Sequence, residues 1–222
     1  GCTEIILTDD ERKALREQKD YNEKTVLVCA ENKDGRASPY AHFSPSLATI
    51  QRISVEGKKV LLKTTNGTLA GLQLWKAGVN HILIGCLHNA KAVMEKAVSM
   101  AKELNSHVTI VCSGREYGNI SALDDAYTAG VLLKYGQEAA KKMNCRSVLR
   151  DSAKISTHLL KAYPHTLKAF EDSGSGETMR KINCLEDISI CAQENISEIV
   201  PEISFSEEHG LVIKNKITEV TY

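Results

Sequence analysis

A run of hydroxyl, amide and glycine residues at positions 64–68 (TTNGT) has the chemistry of an anion site. It follows the apolar run 59–63 (KVLLK) and precedes a helical pattern over residues 68–77. The start of a helix offers unpaired N–H groups and the positive end of its dipole, which suit phosphate or sulfonate. A helix cap needs only one Ser, Thr or Asn. The longer polar run therefore favours an anion site made by Thr64, Thr65, Asn66, Gly67 and Thr68.

A second polar loop at residues 85–89 (GCLHN) follows the apolar run 81–85. Asn89 suits the N-cap of the helix that the next residues predict, and this is the simpler explanation for its presence. Cys86 stands where a nucleophile could stand, but the sequence fixes no base beside it. His88 is expected to be a solvated loop residue. The residue types alone favour a helix start here over catalysis.

A third loop, residues 113–125, combines glycines with charged residues. Ser121 and Asp124 match the capping-box pattern, which explains both of them structurally. Arg115 keeps two interpretations, because its planar guanidinium suits a phosphate or sulfonate and equally suits a surface ion pair. Asp125 offers the oxygen ligands that Mg²⁺ prefers, and this ion often bridges a carboxylate and a substrate phosphate.

Apolar runs and amphipathic helical patterns alternate along the chain and predict an α/β fold. We expect a three-layer α/β/α sandwich with a mainly parallel or mixed sheet. Strands are predicted at residues 3–7, 25–30, 59–63, 81–85 and 107–112, and helices at residues 9–18, 68–77, 90–104 and 123–143. Ligands of open sheets bind outside the carboxyl ends of the strands. The three polar loops each follow a predicted strand, so we expect them to share one edge.

The last third of the chain has a different pattern from the first two thirds. Short helical patterns cover residues 152–162, 165–171 and 185–194, and residues 198–217 read as two extended segments. We expect one domain over residues 1–222. In it, residues 1–145 form the sheet core with its ligand-binding loops, and residues 146–222 form a helical and extended cap.

Charge and composition narrow the partners that we expect. The 28 basic and 28 acidic residues balance, so nothing in the net charge predicts binding to nucleic acid or to a membrane surface. The seven cysteines are odd in number and form no Cys-x-x-Cys pair, which favours a reducing, cytoplasmic location. No run is long enough for a membrane span, and no signal peptide is visible.

The order and spacing of these segments resemble the 2-phosphosulfolactate phosphatase family. Residues 64–68 match that family's TTNGT segment, residues 84–90 (IGCLHNA) its IGSxxNA segment, and residues 111–114 (VCSG) its VCAG segment. Residues 123–130 match its S-L-[ED]-D…AG segment from the leucine onward. Cys86 replaces the usual serine. The resemblance covers most of the chain and is most specific between residues 59 and 130.

The resemblance implies a Mg²⁺-dependent phosphomonoester hydrolase that releases phosphate from a small phosphorylated hydroxy acid, in some organisms within coenzyme M biosynthesis. It implies catalytic roles for Asp125 and Asn66, with Asp125 and Glu31 as the acidic metal-side residues. Its partner is then a small anionic phosphorylated metabolite. The residues that it implies for contacts to phosphate or substrate are Thr64, Thr65, Gly67, Thr68, Gly85, Asn89, Arg115 and Ser44.

Two family features are missing from this sequence. The acidic D-x-[LM]-R-A-T motif does not occur, and the chain starts where the family's second strand would start. In the loop at residues 30–45, Glu31, Ser44 and the next proline match, whereas Asn32 and Phe43 replace an arginine and an asparagine. We therefore expect part of the site to come from residues before Gly1.

The missing features also support an alternative, a catalytically impaired homologue that binds a small acidic metabolite without turnover. An incomplete sheet edge near the N-terminus further predicts self-association as a homodimer.

Overall fold

The computed structural model describes residues 1–17, 22 and 24–215, and its centre is a six-stranded mixed sheet. The order across the sheet is β2-β3-β1-β6-β5-β4. Strand β3 pairs in parallel with β1 and β2, and the other neighbours pair antiparallel. The predicted α/β fold with a mixed sheet is confirmed. The strands are β1 (Glu4–Leu7), β2 (Val26–Ala30), β3 (Lys59–Lys63), β4 (Ile82–Leu83), β5 (Pro201–Ser206) and β6 (Gly210–Asn215).

Helices surround this sheet, and none in the described part of the chain is both long and apolar enough to cross a membrane. A 3₁₀ turn, Leu87–Asn89, leads directly into the fourth helix. The helices are α1 (Glu11–Glu17), α2 (Leu47–Ile50), α3 (Gly67–Lys76), α4 (Ala90–Glu103), α5 (Leu123–Lys142), α6 (Asp151–Ala162), α7 (Thr166–Glu171), α8 (Gly174–Lys181) and α9 (Leu185–Cys191).

Alternation along β1 produces a core on each face of the sheet. Ile6 packs with Leu61 and Val212 on the face that α1 covers. Leu7, the next residue, packs with Ile203 on the opposite face, where residues of α3 complete the cluster. Successive strand residues point to opposite faces, so a strand with apolar residues at both positions needs helices on both sides.

A further apolar cluster joins the helices beyond β4. Buried side chains of α4 and α5 pack together there, with Val93 and Val131 among them. The apolar side of α4 is only partly used, because Ala97, Met100 and Leu104 line an open groove and Leu104 is 54% exposed. The predicted helix is confirmed within one residue, but half of its predicted apolar face lacks a packing partner among the described residues.

Two predicted strands differ from the structure. The strand predicted at residues 81–85 is reduced to Ile82–Leu83, and residues 107–112 are extended but belong to no strand. In the described part of the chain, no backbone hydrogen bond joins residues 107–113 to another residue. An extended apolar segment becomes a strand only when a neighbour pairs with it, and a sequence pattern does not provide that neighbour.

The C-terminal extended segments do not cap the sheet as expected. They form the hairpin β5–β6, which lies inside the sheet between β1 and β4. Helices α2 and α8 fall in segments for which no helix is predicted. Gln18 of the first predicted helix and residues 216–217 of the last extended segment lie outside the described residues. The single-domain organisation stays a prediction.

Candidate active site

Glu31, directly after β2, holds the first polar loop in place. Its Oε1 accepts hydrogen bonds from the backbone N–H of Thr65 at 2.8 Å and from the Thr65 hydroxyl at 2.9 Å. The backbone N–H of Glu31 also donates to the carbonyl of Lys63 at 3.3 Å. A carboxylate that accepts two bonds from one residue orients that residue strongly. Glu31 is therefore a loop-positioning residue in this structure.

Thr64 and Thr68 form reciprocal hydrogen bonds at the start of α3. The Thr64 backbone N–H donates to the Thr68 hydroxyl, and the Thr68 backbone N–H donates to the Thr64 hydroxyl, each at 3.0 Å. The Thr68 hydroxyl also donates to the Thr64 carbonyl at 2.9 Å. Thr68 is only 4% exposed. Its hydroxyl therefore serves the helix start in this structure, and the expected phosphate contact of Thr68 stays a prediction.

Asn66 connects the first polar loop with the third. Its side-chain oxygen accepts a hydrogen bond from the Tyr117 backbone N–H at 3.1 Å, and it makes no side-chain cap bond to α3. Tyr117 has a positive φ of 60°, and the Lys33 ammonium lies 5.1 Å from the centre of its ring. Gly67, next to Asn66, is exposed. Asn66 does not cap this helix start, whereas the Thr64 hydroxyl already accepts from the Thr68 N–H. The exposed Gly67 N–H has no backbone partner among the described residues and is available to an anion.

A cavity of about 320 Å³ lies between the first turns of α3 and the third loop. Its polar lining includes Asn66, Ser113 and Tyr117, and its apolar lining comes mainly from α3. Ligand pockets of roughly this size accept small molecules. The expected meeting of the first and third loops is therefore seen, and it encloses space for a small metabolite.

Two adjacent carboxylates stand at the base of the third loop. The Asp125 Oδ2 accepts a hydrogen bond from the Gly114 backbone N–H at 2.7 Å. Burial raises the pKa of Asp125, the Gly114 bond opposes the rise, and the negative charge of Asp124 adds to it. The Oδ1 of Asp124 is buried and has no hydrogen-bond partner among the described residues. A buried carboxylate oxygen without a donor is costly, so this pair suits a cation or a ligand proton.

Asp124 was expected in a capping box with Ser121, and that expectation is wrong. The N-cap of α5 is Ala122, which makes no side-chain cap bond, and Ser121 is exposed. Asp124 is thereby released from a structural role. The sequence alone does not show whether the capping box forms, because Ser121 and Asp124 have the capping-box spacing in either case.

Gly114 explains how the third loop can approach Asp125 so closely. Its φ is +67°, a left-handed conformation that glycine adopts without strain. A Cβ at this position would lie 2.7 Å from the Ile120 carbonyl oxygen. Any other residue at position 114 would push the loop away from the carboxylate pair.

Thiols near the carboxylates are held in the protonated form. Burial, followed by the charges of Asp125 and Asp124, raises the pKa of Cys112. Burial, followed by Asp187, Cys86 and Asp124, raises the pKa of Cys191 to about 11. A thiol is nucleophilic as its thiolate. Their raised pKa values therefore make Cys112 and Cys191 poor nucleophiles. The same shifts show that negative charges of nearby aspartates act on both thiols.

The second loop is a structural clamp. Asn89 is 5% exposed; its side-chain oxygen accepts from the Cys86 N–H, and its amide nitrogen donates to the carbonyls of Ile84 and Ile199. A Cβ at Gly85 would lie 3.3 Å from Val93. These three hydrogen bonds give Asn89 a structural role, and its expected phosphate contact stays a prediction. The substrate role of Gly85 stays a prediction.

Arg115 lies against the first turn of α8. A Cβ at Gly174 would lie 1.8 Å from the Arg115 Nη1. No carboxylate of the described residues lies within ion-pair distance of Arg115. Its charge nevertheless reaches Glu177 on α8, whose pKa is lowered mainly by Lys181 and further by Arg115. Its guanidinium keeps donors for an anion.

Ser44 is half-buried beside Phe43, which is a core residue. The neighbouring hydroxyl, Ser46, has the clearer role. Ser46 caps α2 and donates to Asp187 Oδ1 at 3.1 Å, and the Ala48 N–H donates to the same oxygen at 2.9 Å. Sequence reasoning missed Ser46 and Asp187, and no local pattern joins residues so far apart in the chain. The substrate role of Ser44 stays a prediction.

The metal prediction can be compared with these contacts. Glu31 and Asp125 each bind a backbone N–H, and the described residues contain no group of three or more His, Cys, Asp or Glu arranged to hold a metal ion. Mg²⁺, however, is often held by one or two carboxylates together with waters and substrate phosphate. Asp124, with its unpartnered buried oxygen, and Asp125 fit that description better than Glu31 does.

A mixed sheet with helices on both faces, an exposed helix start and a buried carboxylate pair define an α/β protein whose candidate site suits an anion and a cation. Residues 1–205 match the family model described as 2-phosphosulpholactate phosphatase. The chain belongs to the 2-phosphosulfolactate phosphatase family, which makes it a phosphatase.

Individual relatives agree with this family. The chain is 31% identical over 198 residues to a probable 2-phosphosulfolactate phosphatase of Thermus thermophilus, covering 87% of this chain and 77% of the relative. It is 28% identical over 203 residues to a protein of the same description from Deinococcus radiodurans, covering 91% and 79%. A Clostridium acetobutylicum protein, again so described, is 28% identical over 207 residues, covering 93% and 82%.

Proposed function

We propose that the protein is a Mg²⁺-dependent phosphomonoester hydrolase that acts on a small phosphorylated hydroxy acid. The family match supports the reaction class, and the names of the relatives point to 2-phosphosulfolactate as the first substrate to test. The observation that carries the proposal is the carboxylate pair of Asp124 and Asp125, with its unpartnered buried oxygen. Asp125 binds the N–H of Gly114, which directly follows Ser113 in the lining of the cavity that Asn66 also lines.

In this proposal, Asp125 and Asp124 hold the cation. The bound Mg²⁺ would neutralise phosphoryl charge for in-line displacement. The Gly114 N–H holds the Oδ2 of Asp125, so the other carboxylate oxygen would bind the cation with little loss of side-chain freedom.

The substrate anion is bound by the helix start and by Arg115. The exposed N–H groups around Gly67 and the amide of Asn66 receive the phosphoryl oxygens, and Glu31 keeps Thr65 and the loop rigid for this task. Arg115 binds the carboxylate or sulfonate of the same molecule, for which its planar fork is suited.

An activity assay tests the proposal. Purified protein is incubated with 2-phosphosulfolactate and with phosphate esters of other small hydroxy acids, with Mg²⁺ or with EDTA, and released phosphate is measured. We expect release that stops in EDTA and returns with Mg²⁺. Asp125→Asn should lower kcat at least about 10- to 100-fold, because it weakens the hold on the ion.

The matched control is Asp151→Asn, the same change on a side chain that is 93% exposed at the start of α6. It should leave kcat and the melting temperature unchanged. Absence of Mg²⁺-dependent phosphate release would overturn the proposal. If calorimetry then showed binding of the same esters, the non-catalytic binding protein would be the correct alternative.

A further inference from the structure

Lys63, the last residue of β3, connects three segments at the carboxyl ends of β2 and β3. Its ammonium lies 3.2 Å from the Oε2 of Glu11, the first residue of α1, and 3.5 Å from the backbone carbonyl of Glu31. The side chain of Lys63 is 25% exposed and that of Glu11 9%, so protein shields the ion pair from solvent. The next residue, Thr64, begins the polar loop that contains the exposed Gly67. The ion pair therefore lies next to the candidate anion site.

The backbone and the side chain of Lys63 both bind Glu31. The Lys63 carbonyl accepts from the Glu31 N–H at 3.3 Å, and the Lys63 ammonium donates to the Glu31 carbonyl at 3.5 Å. The Glu31 carboxylate then accepts from the N–H of Thr65 at 2.8 Å and from its hydroxyl at 2.9 Å. These contacts form a closed ring from residue 63 through residue 31 to residue 65. A shift of the Lys63 side chain therefore reaches Thr65 through Glu31.

Glu11 holds the Lys63 ammonium from the other side of this ring. It is 7% exposed, and its Oε1 accepts from the Ser38 hydroxyl at 2.7 Å. Ser38 is 3% exposed, and its backbone N–H donates to the Ala30 carbonyl at 3.0 Å. The loop between β2 and Ser38 is thus held where it starts and where it ends. Burial raises the pKa of Glu11, but the hydrogen bonds from Ser38 and Lys63 outweigh it, so the carboxyl is charged at neutral pH.

The buried Lys63–Glu11 pair is better explained by geometry than by stability. Removing two charges from water offsets most of the attraction between them, so a buried pair adds little net stability. The three N–H donors of a lysine match three acceptors here, which are the two Glu11 oxygens and the Glu31 carbonyl. The ammonium is thereby used within the protein. Lys63 can orient the neighbouring loop without contacting a substrate.

We propose that Lys63 is a positioning residue for the candidate anion site. Its ion pair with Glu11 holds Glu31 in place. Glu31 in turn holds Thr65, so that the Gly67 N–H keeps the direction in which it meets a phosphoryl group. This role rests on the proposed function, which assigns the anion site to the substrate phosphate. Donors that are already oriented bind a developing or full charge more strongly than donors that must first be ordered.

Variant kinetics and calorimetry test the proposal. Lys63→Met alone leaves the buried Glu11 carboxylate without its cation, so the informative variant is Glu11→Gln/Lys63→Met, in which neither charge remains. We expect its KM for 2-phosphosulfolactate and its dissociation constant for inorganic phosphate to rise about 10-fold, because the anion donors lose their orientation. In the same variant kcat should change by less than about 3-fold, since no group that touches the phosphate is removed. Lys63→Arg keeps the charge and the donors and should restore the affinity.

Glu4→Gln/Lys214→Met is the matched control. The Lys214 ammonium lies 2.9 Å from the Oε1 of Glu4, whose side chain is 9% exposed at the amino end of β1. The control therefore removes a lysine pair from another buried carboxylate, but at the opposite edge of the sheet. Its KM should equal that of the unmodified chain. A protein that is only destabilised has a smaller folded fraction, which lowers kcat and leaves KM unchanged.

Amide exchange at Thr65 provides a readout that does not depend on turnover. In NMR exchange measurements without substrate, the Thr65 N–H should exchange about 10-fold faster in Glu11→Gln/Lys63→Met than in the unmodified chain, because Glu31 no longer holds it firmly. The matched control should leave this exchange unchanged. If the unmodified chain hydrolyses no phosphate ester, the proposed function fails, whereas phosphate binding and Thr65 exchange still decide the role of Lys63.

Three outcomes would overturn the proposal. The first is a folded Glu11→Gln/Lys63→Met variant with unchanged phosphate affinity and unchanged Thr65 exchange, which would show that the anion loop does not depend on the ion pair. The second is an equal rise in KM in this variant and in the matched control, which would assign the effect to a general loss of stability. The third is an absence of phosphate binding to the unmodified chain, because there would then be no anion site to position.

Discussion

Two apolar extended segments, β3 and residues 107–112, have similar composition but different surroundings. On one side, residues of β3 (KVLLK) pair with β1 and β2, and Leu61 is 0% exposed. On the other side, residues 107–112 (HVTIVC) have no paired neighbour in the described part of the chain, and Val111 is 50% exposed. The comparison shows that the partner, more than the segment, decides whether an apolar run becomes a strand.

The largest difference in the free energy of unfolding is expected when one apolar side chain is shortened in each of the two segments. Leu61→Ala removes a fully buried side chain between two paired strands and should lower the free energy of unfolding by about 2–5 kcal/mol. Val108→Ala, in residues 107–112, should change it by no more than about 0.5 kcal/mol. Urea unfolding followed by circular dichroism measures both.

An equal loss in the two variants would break the comparison. It would show that residues 107–112 are as well packed as β3.

A smaller loss of stability is expected at Asn89, whose side chain joins the residues after β4 to Ile199 before β5. Asn89→Ala leaves the Cys86 N–H and the Ile84 and Ile199 carbonyls without their partner. At about 1 kcal/mol for each lost bond, the free energy of unfolding should fall by about 3 kcal/mol. Gln137→Ala, an exposed amide on α5, is the control and should have no measurable cost. A neutral Asn89→Ala would show that this clamp is not needed.

The smallest effect is expected at a buried charge on the paired side. Glu11 accepts a hydrogen bond from the Ser38 hydroxyl at 2.7 Å and pairs with Lys63 at 3.2 Å. Burial raises the pKa of Glu11, but the bonds from Ser38 and Lys63 outweigh it, and the pKa lies below 4.5 in the folded state. This carboxylate therefore stabilises the fold above pH 4.5, and the contribution is lost as pH falls through the lowered folded pKa.

Ser38→Ala should accordingly cost about 1–2 kcal/mol at pH 7 and less at pH 3, measured by urea unfolding at both values. Ser99→Ala removes a similar but exposed bond to Glu103 and should cost little at either pH. A cost of Ser38→Ala that does not depend on pH would assign its effect to packing instead of charge.

Much of the fold follows from local pattern. The limits of β3 and the start of α4 are predicted to the residue, because continuous apolar runs and helix periodicity are strong local signals. The β5–β6 hairpin was recognised as extended, but its place inside the sheet was not, since pairing with β1 joins residues about 200 positions apart. The strand predicted at residues 107–112 failed for the same reason, because its partner is not a local property.

For the candidate site, too, the sequence predicts some features and misses others. Asp125 and the helix start at Gly67 were singled out from residue type and spacing, and their roles stay predictions. The structure shows that Asp125 adjoins Asp124, whose Oδ1 is buried without a partner among the described residues. Asn89 shows a limit of the sequence, because a buried amide clamp and an anion ligand have the same residue type. Asp124 was set aside because its spacing suits a capping box, and only the geometry of α5 shows that the box does not form.

The position of the β5–β6 hairpin also affects how the protein is made. Strands β1 and β4 belong to the first 83 residues, but the hairpin that joins them ends at Asn215. At a translation rate of about 5–20 residues per second, roughly 7–26 s pass between synthesis of β4 and synthesis of β6. During this interval the nascent chain exposes edges of β1 and β4 that residues 201–215 cover in the folded sheet.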